Sequence, residues 1–245
     1  MKTIILAGGY GTRLSEYTDV MPKPMISVNN KPIIERIMNI FSFYDYNEFY
    51  VALGYKSEII KKHFFDNYKV TDKNKTYFLG NNKINLNLID TGKDTLTGGR
   101  ILRLRKFIGN ETFMLTYGDG VSDINISDLV KFHKSHGKLV TVSAVRPPAR
   151  FGALKLDGDE VKSFEEKNQI NEGWINGGFF VIEPNFFNYL ENDYTILERE
   201  PLETCAKQGE LRAYKHKGFW QCMDTKRDRD ILEKNSIYGD EPWKR

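Results

Sequence analysis

The chain has 245 residues, 40% of them hydrophobic, and its 36 Lys and Arg residues nearly balance 33 Asp and Glu residues, which leaves a net charge of +3. This balance, without a dense basic run, argues against nucleic acid as a partner, and two cysteines without a CxxC pair argue against a zinc site or a disulfide scaffold. No run of about 18 apolar residues is present, and the apolar stretch near the N terminus is too short for a signal peptide, so we expect a cytoplasmic protein without a membrane span.

Strands and helices alternate in the first part of the chain. Residues 2–7 form a continuous apolar run typical of a buried parallel strand, and Pro22, Pro24 and Pro32 favour an ordered loop over residues 15–31. The alternation continues with a helix (33–43), a strand (48–55), a helix (57–65), a strand (85–91), a helix (98–108), a strand (112–120), a helix (128–136) and a strand (139–145). This pattern predicts an α/β fold with a mostly parallel, Rossmann-like sheet flanked by helices.

After about residue 145 the elements become shorter and richer in β-structure. Two alternating runs around Asp157-Gly158-Asp159 predict a β-hairpin within residues 151–167. A strand (174–184), a helix (201–209), a strand (211–219) and a terminal helix (225–236) follow. Because no linker, repeat or low-complexity stretch separates the two parts, we predict one domain over residues 1–245, made of a half at 1–145 and a half at 146–245.

A glycine-rich loop, GGYGTRL, follows the first strand at residues 8–14. Glycine has no Cβ, so the backbone N–H groups of such a loop can closely approach a phosphate. Arg13 and Lys23 can then bind phosphate oxygens. The loop matches neither GxxxxGK(S/T) nor GxGxxG, so a glycine-rich turn without a ligand stays an alternative.

Two aspartates are candidate metal ligands. Asp119 lies between two glycines at the end of a predicted strand, and Asp224 lies in the stretch FWQCMDT. Mg²⁺ takes one or two carboxylates plus substrate phosphates, although an isolated aspartate more often forms a turn, and spacing alone cannot pair these two. His133 and His136 lack a ligand partner at metal spacing and are interpreted as surface or packing residues. Without a nucleophile signature, direct displacement is favoured over covalent catalysis.

In order along the chain, LAGGYGTRL, PKPM, YGDG, FEEK, INGGFFV and FWQCMDT resemble the motifs of the nucleotidyltransferases that make nucleotide sugars. The resemblance covers essentially the whole chain and is closest to the glucose-1-phosphate cytidylyltransferase subgroup, which LTGGRI, LTYGDGVSDINI and EREPLETCAKQGEL also resemble. It implies the nucleotide-diphospho-sugar transferase fold, with a nucleotide-binding half over 1–145 and a β-rich acceptor-binding half over 146–245.

The resemblance also implies a reaction and its residues. CTP and a phosphorylated acceptor, glucose 1-phosphate or a related metabolite, would give a CDP-acceptor and pyrophosphate for surface polysaccharide or capsule synthesis, with Mg²⁺. Arg13, Lys23 and Lys167 would be catalytic, with Arg13 on the departing pyrophosphate and Lys167 on the acceptor phosphate. The implied nucleotide-binding residues are Leu6, Ala7, Gly8, Gly9, Gly11, Thr12, Thr97, Gly98 and Gly99, the last three near the base. Gly152, Glu166 and Asn176 would bind the acceptor, and Asp119 and Asp224 would hold the metal.

Departures from the family pattern fall mainly on the acceptor side. Asn168 follows Lys167 where the family has proline, Met21 and Cys222 replace the usual lysine and proline, and the segment over about residues 66–86 is shorter. The acceptor therefore stays open, with a phospho-amino acid such as phosphoglutamine as an alternative to a sugar phosphate. UTP or dTTP in place of CTP, a binding domain without turnover, and a homo-oligomer also remain possible from the sequence.

Overall fold

The computed structural model describes residues 1–68, 76–79, 82–147, 153–165, 173–237, 239 and 241–244. The strands are β1 Thr3–Ala7, β2 Ser27–Val28, β3 Lys31–Pro32, β4 Glu48–Leu53, β5 Thr76–Leu79, β6 Asn82–Asp90, β7 Phe113–Tyr117, β8 Gly120–Ser122, β9 Val140–Val145, β10 Ala153–Asp157, β11 Glu160–Glu165, β12 Ile175–Ile182, β13 Leu211–Lys215 and β14 Trp220–Cys222. The helices are α1 Ser15–Thr18, α2 Ile33–Ser42, α3 Ser57–Asn67, α4 Thr97–Ile108, α5 Ile126–His136, α6 Glu200–Lys207 and α7 Lys226–Ile237.

One sheet of eight strands runs through the molecule in the order β13-β9-β12-β7-β1-β4-β6-β5. β1 pairs in parallel with β4 and β7, β4 with β6, and β9 with β13. β12 is antiparallel to both β7 and β9, and β5 is antiparallel to β6. The predicted α/β fold with a mostly parallel sheet is thus confirmed, and strands from both predicted halves share this sheet.

The sheet is covered on both faces, as the unbroken apolar pattern of β1 requires. All five residues of β1 are buried. Because successive side chains of a strand point to opposite faces, Ile5 joins a core cluster with residues of α2 and α3, whereas Ile4 joins a second cluster with residues of α4. The carboxyl end of β1 is therefore held between two packed layers.

Two sequence expectations need correction. Residues 15–31 are not all loop, because α1 makes one helical turn and a 3-10 turn, Lys23–Met25, follows with Pro24 in its first turn, where the missing N–H of proline costs nothing. β5 was not predicted, since its four residues are too few for a recognisable alternation and depend on pairing with β6. Among the described residues, no helix is both long and apolar enough to cross a membrane.

Candidate active site

Two adjoining cavities open at the carboxyl ends of β1 and β7. The first, here called the glycine-loop cavity, has a volume of about 420 Å³ and follows the loop after β1. The second, called the adjoining cavity, has a volume of about 900 Å³ and extends towards β12 and α7. Arg13, Tyr117 and Asp119 line both, so a molecule in either cavity can reach the same three side chains.

Four charged side chains converge at this shared wall. The Nζ atom of Lys23 donates to Asp119 Oδ2 at 2.5 Å and to Asp224 Oδ1 at 2.6 Å. Arg13 Nη1 donates to the other oxygen of Asp224 at 2.7 Å. The antiparallel pair β8–β14 and the hydrogen bond from Met223 N to Asp119 O bring the two aspartates together. The structure thus joins two residues that sequence spacing could not pair.

The ion pairs set the charge state of this cluster. Burial alone raises the pKa of Asp224, but the hydrogen bond and charge of Lys23, with the charge of Arg13, hold that pKa below its ordinary value. Burial likewise disfavours the Lys23 ammonium, yet Asp119 and Asp224 raise its pKa above the usual range. At neutral pH the lysine is therefore a cation lying between two carboxylates.

The two aspartates are of the ligand type that magnesium takes. One carboxylate oxygen of each lies within 2.6 Å of the same cationic nitrogen, and Mg²⁺ is held by one or two carboxylates together with substrate phosphates. Within the described part of the chain, no group of three or more His, Cys, Asp or Glu residues could hold a metal. Substrate phosphates and water would therefore complete the coordination, as is usual for Mg²⁺.

The glycine loop is supported from below by Arg100, a residue that sequence reasoning missed. Arg100 is 4% exposed, and its guanidinium donates to the carbonyl oxygens of Gly8, Leu53, Gly92 and Lys93 and to the hydroxyl of Thr91. A Cβ on Gly8 would lie 2.2 Å from Arg100 Nη1. Gly8 is thus needed to make room for the guanidinium. The only available signal was a single arginine inside the stretch GGRIL.

The other loop glycines have different surroundings. Gly11 has a φ of +66°, in the left-handed region, and a Cβ there would lie 2.8 Å from Thr18 Cγ2. Gly9 has open space around it. Of the residues predicted to bind the nucleotide or its phosphates, Leu6, Ala7, Gly8, Gly9, Gly11, Arg13, Lys23 and Thr97 line the glycine-loop cavity. Thr12 begins the 3-10 turn Thr12–Leu14 and lines neither cavity.

Gly98 and Gly99 contact a loop of the second half. Their N–H groups donate to the Thr195 carbonyl, and a Cβ on either would lie within 2.7 Å of Thr195 or Asp193 atoms. The two glycines let residues 193–198 dock on the start of α4. Their predicted role near the base stays a prediction.

On the acceptor side, Asn176 lines the adjoining cavity, and its Nδ2 donates to the Tyr117 hydroxyl at 3.2 Å. Cys222 also lines this cavity, and burial raises the pKa of its thiol to about 12, so the thiol is neutral. Gly152, Glu166 and Lys167 lie outside the described residues, and their predicted roles remain predictions.

A family model described as nucleotidyl transferase matches residues 2–236. The chain is 45% identical to glucose-1-phosphate cytidylyltransferase of Salmonella typhi and 43% identical to a probable glucose-1-phosphate cytidylyltransferase of Bacillus subtilis, and each alignment covers 100% of this chain and 99% of the relative. The crystal structure of HddC from Yersinia pseudotuberculosis superposes with a TM-score of 0.72 at 23% identity, covering 96% of this chain and 99% of that chain, which supports the fold.

Proposed function

The chain belongs to the nucleotidyl transferase family, and from this we propose that it transfers a cytidylyl group from CTP to a sugar 1-phosphate, with glucose 1-phosphate as the first candidate. A phosphate oxygen of the acceptor forms a bond to the α-phosphorus of CTP. The bond from that phosphorus to the β-phosphate oxygen breaks, and pyrophosphate leaves with the bonding electrons. The CDP-sugar product would serve surface polysaccharide or capsule synthesis.

One observation carries the proposal: Arg13, Lys23, Asp119 and Asp224 meet at the wall that two cavities share. We assign the triphosphate to the glycine-loop cavity and the acceptor to the adjoining cavity. The reacting phosphorus then lies at the boundary, within reach of both cations. A protein that binds a nucleotide without turnover would need neither the second cavity nor a cluster of two aspartates and two cations.

The barrier to this reaction is electrostatic. Two negatively charged phosphate groups must approach each other, and charge builds up on the departing pyrophosphate. Arg13 and Lys23 would bind and orient phosphate oxygens, and Lys167 would hold the acceptor phosphate. Asp119 and Asp224 would hold Mg²⁺, which neutralises phosphate charge when bound.

The choice of CTP and of a sugar acceptor is supported by two relatives that share more than 40% of their residues with the chain and are named for glucose 1-phosphate and cytidylyl transfer. UTP or dTTP as donor, and phosphoglutamine as acceptor, are the alternatives that the sequence leaves open. They enter the test as separate arms.

The test is pyrophosphate release from CTP, UTP, dTTP, ATP and GTP, each with Mg²⁺ and a panel of sugar 1-phosphates and phosphoglutamine. We expect release with CTP and glucose 1-phosphate. Release with CTP and phosphoglutamine alone would overturn the sugar acceptor, and release with another nucleotide would overturn CTP. No pyrophosphate release from any combination of nucleotide and acceptor would contradict the enzyme activity itself.

A matched pair of variants ties the activity to the site. Asp224→Asn should lower kcat by about 10²-fold or more, because it removes a charged ligand where transition-state charge develops. Asp230→Asn removes the same charge from the exposed side of α7, where Asp230 contacts Arg229, and should leave kcat unchanged. Equal kcat values for the two variants would contradict the assigned site.

A further inference from the structure

Glu198 connects the two cavities. Its Oε2 accepts a hydrogen bond from the Thr97 hydroxyl at 2.7 Å, and its Oε1 accepts one from the Tyr117 hydroxyl at 2.7 Å. Thr97 lines the glycine-loop cavity, Tyr117 lines both cavities, and Glu198 itself lines the adjoining cavity. The carboxylate therefore lies at the boundary and is anchored to a residue of the glycine-loop cavity and to a residue that both cavities share.

The position of Glu198 is set by the scaffold. Its neighbour Leu197 is fully buried, and Leu197 N donates to Thr97 Oγ1 at 2.9 Å. The same loop docks on α4 because the N–H groups of Gly98 and Gly99 donate to Thr195 O. A side chain held in this way is preorganised to recognise a ligand.

Glu198 keeps unused hydrogen-bonding capacity. A carboxylate offers about four acceptor positions, and two are taken by hydroxyls. Among the described residues no Lys, Arg or His forms an ion pair with Glu198, whereas Asp119 and Asp224 in the same cavity wall are paired with Lys23. Asp228, the fourth carboxylate there, accepts hydrogen bonds from the N–H groups of Asp224 and Thr225. Among the described residues that line this cavity, Glu198 is thus a carboxylate without an ion pair that keeps acceptor positions for a ligand.

We propose that Glu198 recognises hydroxyl groups of the acceptor, which makes the acceptor a polyhydroxylated phosphate, and that it sets acceptor specificity. A carboxylate only accepts hydrogen bonds, so its partner must be a donor such as a ring hydroxyl. Asn176 is linked to Glu198 by two hydrogen bonds through the Tyr117 hydroxyl, which adds a polar amide to the same wall. The inference rests on the proposed sugar phosphate reaction and deepens it.

The experiment compares wild type, Glu198→Ala and Glu198→Gln with glucose 1-phosphate and its single-deoxy analogues, with kcat and KM measured separately for CTP and acceptor. In wild type, removing the hydroxyl that meets Glu198 should lower kcat/KM about 10- to 100-fold, the worth of one hydrogen bond to a charged group. Glu198→Ala should lose most of this discrimination, and its KM for CTP should stay within about twofold of wild type.

Two control variants separate recognition from a general effect. Glu200→Gln removes a charge at the exposed start of α6, outside both cavities, and should keep full discrimination. Tyr117→Phe removes one anchor of Glu198 but leaves the carboxylate, so discrimination between analogues should lie between that of wild type and that of Glu198→Ala. Thermal unfolding of each variant checks that the chain is folded.

Several results would overturn the inference. Unchanged discrimination between analogues in an active Glu198→Ala enzyme would contradict the role of Glu198 but not the proposed reaction. If the variant changes only the KM for CTP, Glu198 contacts the nucleotide and not the acceptor. A wild-type enzyme that uses CTP with phosphoglutamine and with no sugar phosphate contradicts the polyhydroxylated acceptor. A wild-type enzyme inactive with CTP and every acceptor contradicts the proposed function as well.

Discussion

The ammonium group of Lys23 lies where two aspartates would receive a metal ion. Only 12% of its side chain is exposed, and both of its contacts are at 2.6 Å or less. An ammonium group and a metal ion cannot occupy one position, so at the proposed site Lys23 and a divalent ion would compete for the same carboxylates until phosphate oxygens attract the lysine. Metal affinity without nucleotide should therefore be low.

Lys23→Met should tighten binding of Mn²⁺ to the nucleotide-free protein by about 10- to 100-fold, because it removes the cation that Asp119 and Asp224 share and leaves Arg13 on Asp224 as their remaining ion pair. Electron paramagnetic resonance of free Mn²⁺ measures the affinity without any turnover. Lys93→Met removes the same charge from the glycine-loop cavity, where Lys93 has no ion pair with Asp119 or Asp224, and should change the affinity little. Equal affinities in wild type and Lys23→Met would refute the competition.

At the scale of elements, α4 supports the glycine loop through Arg100. The guanidinium fills the space that a Cβ on Gly8 would need, and it ties the ends of β1 and β4 to the loop after β6. Gly8 is therefore coupled to a helix that lies about ninety residues further along the chain.

Gly8→Ala should cost about 1–3 kcal/mol of unfolding free energy in wild type, the usual cost of overpacking. In the Arg100→Ala background the same change should cost less than about 0.5 kcal/mol, because the clashing group is gone. Urea unfolding of the four proteins gives the comparison, with Gly9→Ala, which meets open space, as the control. An equal loss of unfolding free energy in both backgrounds would show that glycine at position 8 is not required to accommodate Arg100.

The end of α5 carries a hydrogen-bonded chain that requires neutral histidines. Lys138 N donates to His136 Nδ1, and in the neutral tautomers His136 Nε2 donates to Thr141, the Thr141 hydroxyl donates to His133 Nδ1, and His133 Nε2 donates to Glu183. Burial lowers the pKa of both histidines, and Glu183 only partly offsets this for His133. The sequence interpretation as packing residues holds for His133, which is 2% exposed.

Because these pKa values are lower in the folded state, the unfolded chain takes up more protons below its histidine pKa of about 6.5. Unfolding free energy should therefore fall as pH drops from 7.5 to 5.5, by at most about 1.4 kcal/mol per pH unit for each histidine. His133→Gln should flatten this slope. Denaturant unfolding of wild type and variant at several pH values measures it, and an unchanged slope in His133→Gln would contradict the assignment.

At the scale of the whole molecule, the glycine-loop cavity joins segments far apart in the chain, from Leu6 to Asp119. A nucleotide that binds only the folded state stabilises it by about 2.7 kcal/mol at a hundred times its Kd. CTP with Mg²⁺ should therefore raise the Tm by about 5–10 °C, and a chelator should reduce the shift. Thermal denaturation with each of five nucleotides measures this, and no shift with any of them would contradict a nucleotide site.

Most helices and strands, and the sheet edge at which the site lies, can be predicted from the sequence. Apolar periodicity depends only on neighbouring residues, so it can be recognised without the fold. The run over residues 2–7 and the glycines after it indicate a buried strand that ends at a ligand edge. The meeting of Asp119 with Asp224 depends on β8 pairing with β14, and the role of Arg100 depends on three loops converging on one side chain. Such long-range relations leave no local signature, so only the fold reveals them.

The antiparallel strand β12 has a consequence for how the protein is made. Within the described residues, β9 has β12 and β13 as its neighbours, and β7 has β12 as one of its two neighbours. During translation, β9 therefore leaves the ribosome before either of its partners. The edge of β7 that later pairs with β12 is unpaired during this time. The nascent chain carries exposed apolar strand edges until residues 175–182 emerge to cover β7 and one edge of β9, and until residues 211–215 cover the other edge of β9. Such edges are the surfaces that chaperones protect from aggregation.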